Sequence, residues 1–318
     1  MAMIELSAVQ HLPLPFWAVT TFLIAACVGS FLNVVIARVP RERSIVWPGS
    51  HCFTCGAPVQ ARHNIPILSW FLLRGRCHDC QAPFSVRYAL VELAFALLCV
   101  LAIVRHGGPT HAALQECALL GFLIPLACID LDTWLLPHAV TIPGVIVGLL
   151  FGLSLSLDDF LNRLIAAAIG YTVLLVGAFI GERLLGKEVM GGGDFVLFAL
   201  IGAFLGTRAL LPVIFLASSQ GAAVGIALIA KRGAWRSSTT EEEEEEEQDV
   251  DESDEPIELE SEVSAASVAV PLTVSAKLPD DGWVPDAHAI PFGPFLALGA
   301  IEVAYFSEIP ALMFPWIS

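Results

Sequence analysis

Hydrophobic and polar positions along this chain are grouped in long blocks rather than in fine periods. Apolar runs occupy Pro15 to Ala37 and residues about 89–104, 112–129, 139–156, 164–182, 195–206, 210–230 and 290–306. Several exceed the roughly 18 apolar residues that mark a membrane-crossing helix. The 195–206 run is short, which suits a half-buried or tilted element. The last run could extend toward 317, although Glu302, Glu308 and Pro310 interrupt it. The pattern predicts an all-α polytopic membrane protein of about eight transmembrane helices. Composition agrees: 56% of residues are hydrophobic, more than a soluble domain of this length needs.

Basic residues orient the helices. Residues 1–14 carry no Lys or Arg, whereas a secretory signal places a basic region ahead of its apolar core. Here Arg38, Arg41 and Arg43 follow the first run instead, so its N-terminus is expected outside. The inside segments are then 38–88, 130–138, 183–194 and 231–289, with 13 basic residues against 3 outside, as the positive-inside rule demands. This topology places the loop 38–88 and the carboxylates Asp130, Asp132 and Asp194 on the cytoplasmic side.

The net charge of −16 is local. Residues 241–262 hold 15 acidic residues and no basic one, and the remainder has 17 acidic against 16 basic. Nothing forms the clustered basic face of a nucleic-acid binder. Residues 237–288, with a seven-glutamate run followed by Ser, Pro, Ala and Val mixtures, have the composition of a disordered, solvated linker. A docking tail for a basic partner is the sharper alternative. Val268 to Val274 could form a short strand, but no second strand is evident.

Eight cysteines divide into two sets. Cys27, Cys99, Cys117 and Cys128 lie in apolar runs, where cysteine behaves as a small buried hydrophobe. Cys52, Cys55, Cys77 and Cys80 form a CxxC–x21–CxxC array in the polar loop. Two-residue spacing lets both thiolates of a knuckle reach one ion, and two knuckles complete a tetrahedral Zn²⁺. Disulfides are the other reading, and the cytoplasmic placement favours metal. Four thiolates leave no open coordination position, so this zinc would be structural, shaping a ribbon-like loop too polar to bury its own core. His51, His63 and His78 are possible further ligands, or simply exposed loop histidines.

Two acidic sites sit at the ends of apolar runs. In Met190-Gly-Gly-Gly-Asp194, the glycines allow close backbone approach to the carboxylate. Asp194 could also be an ordinary N-cap of the following helix. In Cys128-Ile-Asp-Leu-Asp132, the two carboxylates are two residues apart and point to different helix faces, so at most one is expected to face Asp194. Two carboxylates in one site share a proton, leaving a protonated acid beside an ionised base. That pair can activate water against a carbonyl. An aspartyl hydrolase and an ion or proton path both fit these residues.

The full set of motifs resembles the prepilin peptidases (type IV leader peptidases), which are polytopic aspartyl proteases. Gly29-Ser-Phe-Leu-Asn-Val-Val-Ile-Ala-Arg-Val-Pro40 resembles the family's first-helix signature. Cys52 to Cys80, with Asn64-Ile-Pro-Ile-Leu-Ser-Trp70, resembles its cysteine loop. Arg87-Tyr88 and Val91-Glu-Leu93 resemble the entry to the second helix. Ile129 to Asp132 with Leu136-Pro137, and Met190 to Asp194, resemble the two catalytic segments. Ile290-Pro-Phe-Gly-Pro-Phe295 resembles the start of the last helix.

The resemblance implies that Asp130 and Asp194 are the catalytic pair, with Gly191, Gly193 and Asp132 as supporting neighbours. It implies a substrate class, the basic leaders of type IV prepilins and type II secretion pseudopilins, cut after a glycine at the cytoplasmic face of the bacterial inner membrane. It also implies N-methylation of the new N-terminal residue, usually Phe, using S-adenosylmethionine, an activity associated with the region that holds the cysteine loop. No glycine-rich cofactor loop marks that site.

The organisation expected is an N-terminal region and first helix at 1–37 and a four-cysteine loop at 38–88. A membrane peptidase core at 89–236, an acidic disordered insert at 237–288 and a last helix at 289–318 complete it. Val196 stands where the family usually has lysine, and His138 where it usually has aspartate. Val196 is the one hint for an alternative, a catalytically impaired zinc-loop scaffold that binds prepilins; a transporter is third. Glu92, just inside the second apolar run, is expected to pair with Arg87 or Arg38. Ser30 and Asn33 are expected to bond across helices.

Overall fold

A computed structural model describes residues 12–186, 190–246 and 290–306, with backbone alone at 229 and 231–246. The described residues within Met1–Ser218 and Pro291–Ser318 form one compact unit, and those within Ser219–Ile290 belong to a second. Each apolar run becomes a helix. In chain order they are α1 (Leu14–Arg38), a short α2 in the polar loop (Leu68–Leu72), α3 (Arg87–Arg105), α4 (His111–Thr133), α5 (His138–Leu153), α6 (Leu157–Leu185), α7 (Gly192–Leu205), α8 (Thr207–Glu246) and α9 (Gly293–Tyr305). No strand forms among the described residues.

The chain is a polytopic helical membrane protein. Helices α1, α3, α4, α6 and the Thr207–Leu228 part of α8 are long and apolar enough to cross a membrane. Helices α5, α7 and α9 are apolar but shorter. Large apolar side chains face outward in numbers that water would not tolerate, among them Val19, Leu23, Ile24, Ile146, Ile165 and Phe179; lipid is the solvent that matches them.

Helix α7 is the hub. Leu197, Phe198, Leu200, Ile201 and Phe204 are all buried, and a helix that is apolar on every side belongs in an interior. Small residues let its neighbours close in. A Cβ on Gly202 would stand 2.6 Å from the Ala166 carbonyl oxygen, and one on Gly148 would stand 2.9 Å from the Ala203 carbonyl carbon. Between α1 and α3 the same device operates, since a Cβ on Gly29 would come within 2.8 Å of the Glu92 Cα. Lipid tails are as apolar as leucine, so close backbone packing of this kind drives helix association in membranes.

Helix ends are marked as the residue types predict. Thr110 and Ser156 cap α4 and α6 by accepting from the amides of Ala113 and Asp159, and Gly186 ends α6 in the left-handed region at φ 68°. The insert expected to be disordered at 237–288 departs from expectation at its start, because α8 continues to Glu246. Glutamate is a good helix former, and extending an existing helix needs no new nucleus. The remainder of that insert, with Val268 to Val274, lies outside the described residues.

Candidate functional site

The ends of α1, α4, and the starts of α3, α7 and α9 meet at one face of the bundle. Asp130 lies in the last turn of α4, whose helix stops at Trp134 in a left-handed conformation (φ 57°). Asp194 lies in the first turn of α7 after Gly191. Both are buried, at 5% and 8% exposure, and stand close enough for their charges to interact. Oδ2 of Asp130 and Oδ1 of Asp194 are buried and find no hydrogen-bond partner among the described residues. Buried polar atoms are nearly always paired, so two orphaned carboxyl oxygens on groups that feel each other's charge require an explanation.

Asp194 does not cap α7. Gly191 occupies the cap position, and no side-chain cap hydrogen bond forms there. Its carboxyl group is therefore left for the space it shares with Asp130. Asp132 turns away. It is partly exposed and accepts from Nη1 of Arg87 at 2.6 and 2.8 Å, while Nη2 of Arg87 donates to the Cys128 carbonyl at 3.0 Å. This tie fastens the start of α3 to the end of α4.

Only one glycine of the Gly-Gly-Gly-Asp run is sterically required. A Cβ on Gly193 would meet the Leu136 Cβ at 2.6 Å, whereas Gly191 and Gly192 face open space. A further residue went unnoticed in the sequence. The backbone amide of Gly293 faces the Asp130 carboxyl group, and a Cβ at that position would stand 2.5 Å from Oδ2 of Asp130. Its only signal was its place in the Ile290–Phe295 segment.

Glu92 is paired differently from expectation. Arg38 donates to the carbonyls of Ser44 and Gly49, and Arg87 is committed to Asp132. Glu92 instead accepts from the Ile67 amide at 2.6 Å and from Nδ2 of Asn33 at 3.4 Å. Asn33 also donates to the Tyr88 carbonyl at 3.0 Å, so it bonds across helices. Ile67 takes a positive φ of 64°, and the backbone turn there aims its amide at the glutamate.

The loop carries two copies of one knuckle. In the first, the Cys52 amide donates to Ala57 and Gly56 donates back to Cys52; in the second, Cys77 donates to Ala82 and Gln81 donates back to Cys77. Bridges between His51 and Pro58 and between Arg76 and Pro83 close them. The four sulfurs lie within 4.8 Å of one another, and those of Cys52 and Cys80 are 3.8 Å apart. Tetrahedral zinc with Zn–S near 2.3 Å requires sulfurs about 3.8 Å apart, so the residues fit the metal.

The thiols at the two ends of the array differ in acidity. The Cys55 and Thr54 amides hold the Cys52 thiol down to about 6. The Ala82 amide pulls Cys80 the same way, but desolvation and its thiol neighbours push it up to about 12. His63 and His78 stack on each other at 4.4 Å and are not part of the four-ligand group.

Comparison with known proteins follows this geometry. Residues 23–106 match the model described as Bacterial Peptidase A24 N-terminal domain, and residues 117–226 match that of the Type IV leader peptidase family. A prepilin leader peptidase/N-methyltransferase of Myxococcus xanthus (strain DK1622) is 39% identical over 96% of this chain and 92% of its own length. The chain belongs to the type IV leader peptidase family. Relatives of the same name from Aeromonas hydrophila and Neisseria gonorrhoeae are 41% and 36% identical, covering 68% and 73% of this chain and 82% and 87% of theirs. No solved structure matches. Both matched segments contribute to the face described above, the first through the cysteine loop and the second through both aspartates.

Proposed function

We propose that this family member is a membrane-embedded aspartyl endopeptidase that removes the leader of type IV prepilins and type II secretion pseudopilins, then N-methylates the new N-terminal residue. The observation that carries the proposal is the meeting of Asp130 and Asp194 from different helices, both buried, each with an oxygen that has no partner among the described residues. With one proton between them, the ionised carboxylate takes a proton from water while the protonated one donates to the scissile carbonyl oxygen. The C–O bond to the attacking water forms, and the carbonyl π electrons move to oxygen. Collapse then breaks the C–N bond, and the leaving amine takes up a proton from the pair.

The site faces the cytoplasm in this reading, at the inner membrane, because the loop and the arginines that flank it share its end of the bundle. At about 1.5 Å per residue, the 14 residues of α7 cover roughly 21 Å, short of a hydrocarbon layer near 30 Å. Asp194 can therefore lie below the surface plane, where a substrate helix in the bilayer presents its leader junction.

Cys52, Cys55, Cys77 and Cys80 would hold a structural zinc, which supplies the cross-link that shapes the loop. S-adenosylmethionine would supply the methyl group. The organisation into loop, peptidase core, acidic insert and last helix is proposed with the same residue limits as above. The scaffold alternative is not favoured, since a relative bearing the enzyme's name matches 96% of the chain.

Cleavage of a prepilin by the purified full-length protein tests the reading. Asp130→Ala and Asp194→Ala should each lower the rate by at least about 10²-fold, the usual worth of a general acid or base; normal cleavage by either variant overturns the two-aspartate mechanism. Because one proton must be shared, the rate should be bell-shaped in pH, lost in acid when both groups carry protons and in alkali when neither does. Metal analysis should find one zinc per chain, lost in Cys77→Ser; unchanged zinc there would remove the four-cysteine site.

A further inference from the structure

A cavity of about 260 Å³ opens between the cysteine loop and the facing ends of α1 and α3. Asn33, Ile67, Ser69, Trp70, Tyr88 and Glu92 contribute to its wall. It is separate from the aspartate pair, since neither Asp130 nor Asp194 lines it. Glu92 is buried, at 8% exposure, and among the described residues its two oxygens accept only from an amide and a carboxamide. No basic side chain pairs with it among the described residues, and the nearest arginines are committed elsewhere. A second group also stands open, because the Ser69 hydroxyl is buried and unpartnered among the described residues. Buried carboxylates in membrane proteins are paired with a cation or belong to a functional site.

The geometry points to this cavity as the seat of the α-amino group of the cleaved substrate, with Glu92 binding the ammonium and accepting its proton. The inference rests on the methyl transfer proposed above. Cleavage creates a primary amine, which is protonated near neutral pH and cannot act as a nucleophile until it loses a proton. A carboxylate inside a partly apolar cavity does both tasks: it attracts the ammonium by charge and receives the proton as the lone pair is used. The Ile67 amide and the Asn33 carboxamide hold the Glu92 group in place while its remaining lone pairs face the cavity. Trp70 and Tyr88 give the wall the apolar surface that a large first side chain requires.

With Glu92 committed to the amine, the cavity still offers the cofactor the Ser69 hydroxyl, which is buried and unpartnered among the described residues. When bound, S-adenosylmethionine supplies a methyl carbon to which the amine nitrogen bonds as the S–C bond breaks, the electron pair remaining on sulfur as a neutral thioether.

The test compares a synthetic Phe-initiated peptide bearing a free α-amine with its N-acetylated twin, binding to the full-length protein in nanodiscs followed by Trp fluorescence or calorimetry. Wild type should prefer the free amine by at least about tenfold, in line with a charge-assisted hydrogen bond, and Glu92→Gln should lose that preference. Methyl transfer by Glu92→Gln should fall at least about 10²-fold, with its melting temperature reporting whether it folds. Should Glu92→Gln not fold, the free-against-acetylated comparison on wild type still decides. Equal binding of the two peptides to wild type overturns the assignment. So does a Glu92→Gln variant that weakens S-adenosylmethionine binding but leaves the amine preference intact, which would make Glu92 a cofactor contact. If wild type transfers no methyl group but prefers the free amine, the methyltransferase reading fails and the amine site stands.

Discussion

At the end of the bundle away from the carboxylate pair, Glu116 is held by Arg105 at 3.4 Å and His106 at 2.8 Å. Arg163 donates to the Phe204 carbonyl at 2.7 Å and to Gln115 at 2.8 Å, and Gln115 donates back to the same carbonyl at 2.9 Å. Tyr305 donates to the Leu98 carbonyl at 2.9 Å, with Arg105 over its ring. At the opposite end, Asp130, Asp194 and Ser69 each bury an oxygen with no partner among the described residues, and Glu92 is buried with no basic partner. Both ends bury polar groups in an apolar setting, but one closes its network and the other leaves it open. A closed network rigidifies; an open one is costly unless a substrate or water completes it. The difference separates the part of the bundle that holds shape from the part proposed to do chemistry.

The comparison can be broken at either end. The largest effect is expected on cleavage, where the isosteric Asp194→Asn should abolish measurable activity while leaving the melting temperature unchanged or raised, since it removes a buried charge. A collapse of stability in that variant would mean that the open end is structural after all. At the closed end the signs reverse. Arg163→Ala leaves Gln115 and the Phe204 carbonyl with one donor fewer, and a buried acceptor left unsatisfied costs about 1–3 kcal/mol, visible as a lower melting temperature in detergent.

Smaller effects sharpen the picture. Gly293→Ala should cut cleavage by roughly 10²-fold, the penalty of displacing a reacting group by about 1 Å, with little change in melting temperature. The two knuckles offer the finest test. Gly56 and Gln81 occupy matching positions with φ of 72° and 59°, a region that costs a non-glycine residue about 1–2 kcal/mol. Gln81→Gly should therefore tighten zinc retention slightly against a chelator, and Gly56→Gln should weaken it.

The eight apolar runs each became a helix because burial in lipid and internal satisfaction of the backbone leave few other choices. The four-cysteine array was equally legible, since two-residue spacing brings the thiols of each pair together locally and the four sulfurs lie within 4.8 Å of one another. The same local logic explains the start of the acidic insert, where glutamates extend α8 instead of disordering.

Residues two apart are a different matter. Asp130 and Asp132 differ in nothing that local sequence records, yet one is buried against Asp194 and the other is drawn to Arg87, 45 residues earlier. Charge alone pairs Glu92 with Arg87 or Arg38, whereas the folded chain brings it the Ile67 amide. Gly293 gained its place beside Asp130 only because α9 starts where α4 ends. The existence of the helices follows from transfer free energies summed along the chain, so the sequence by itself determined it. Which carboxylate meets which, and which glycine must lack a Cβ, depend on helix rotation and close packing between distant segments, and only the packed bundle decides those.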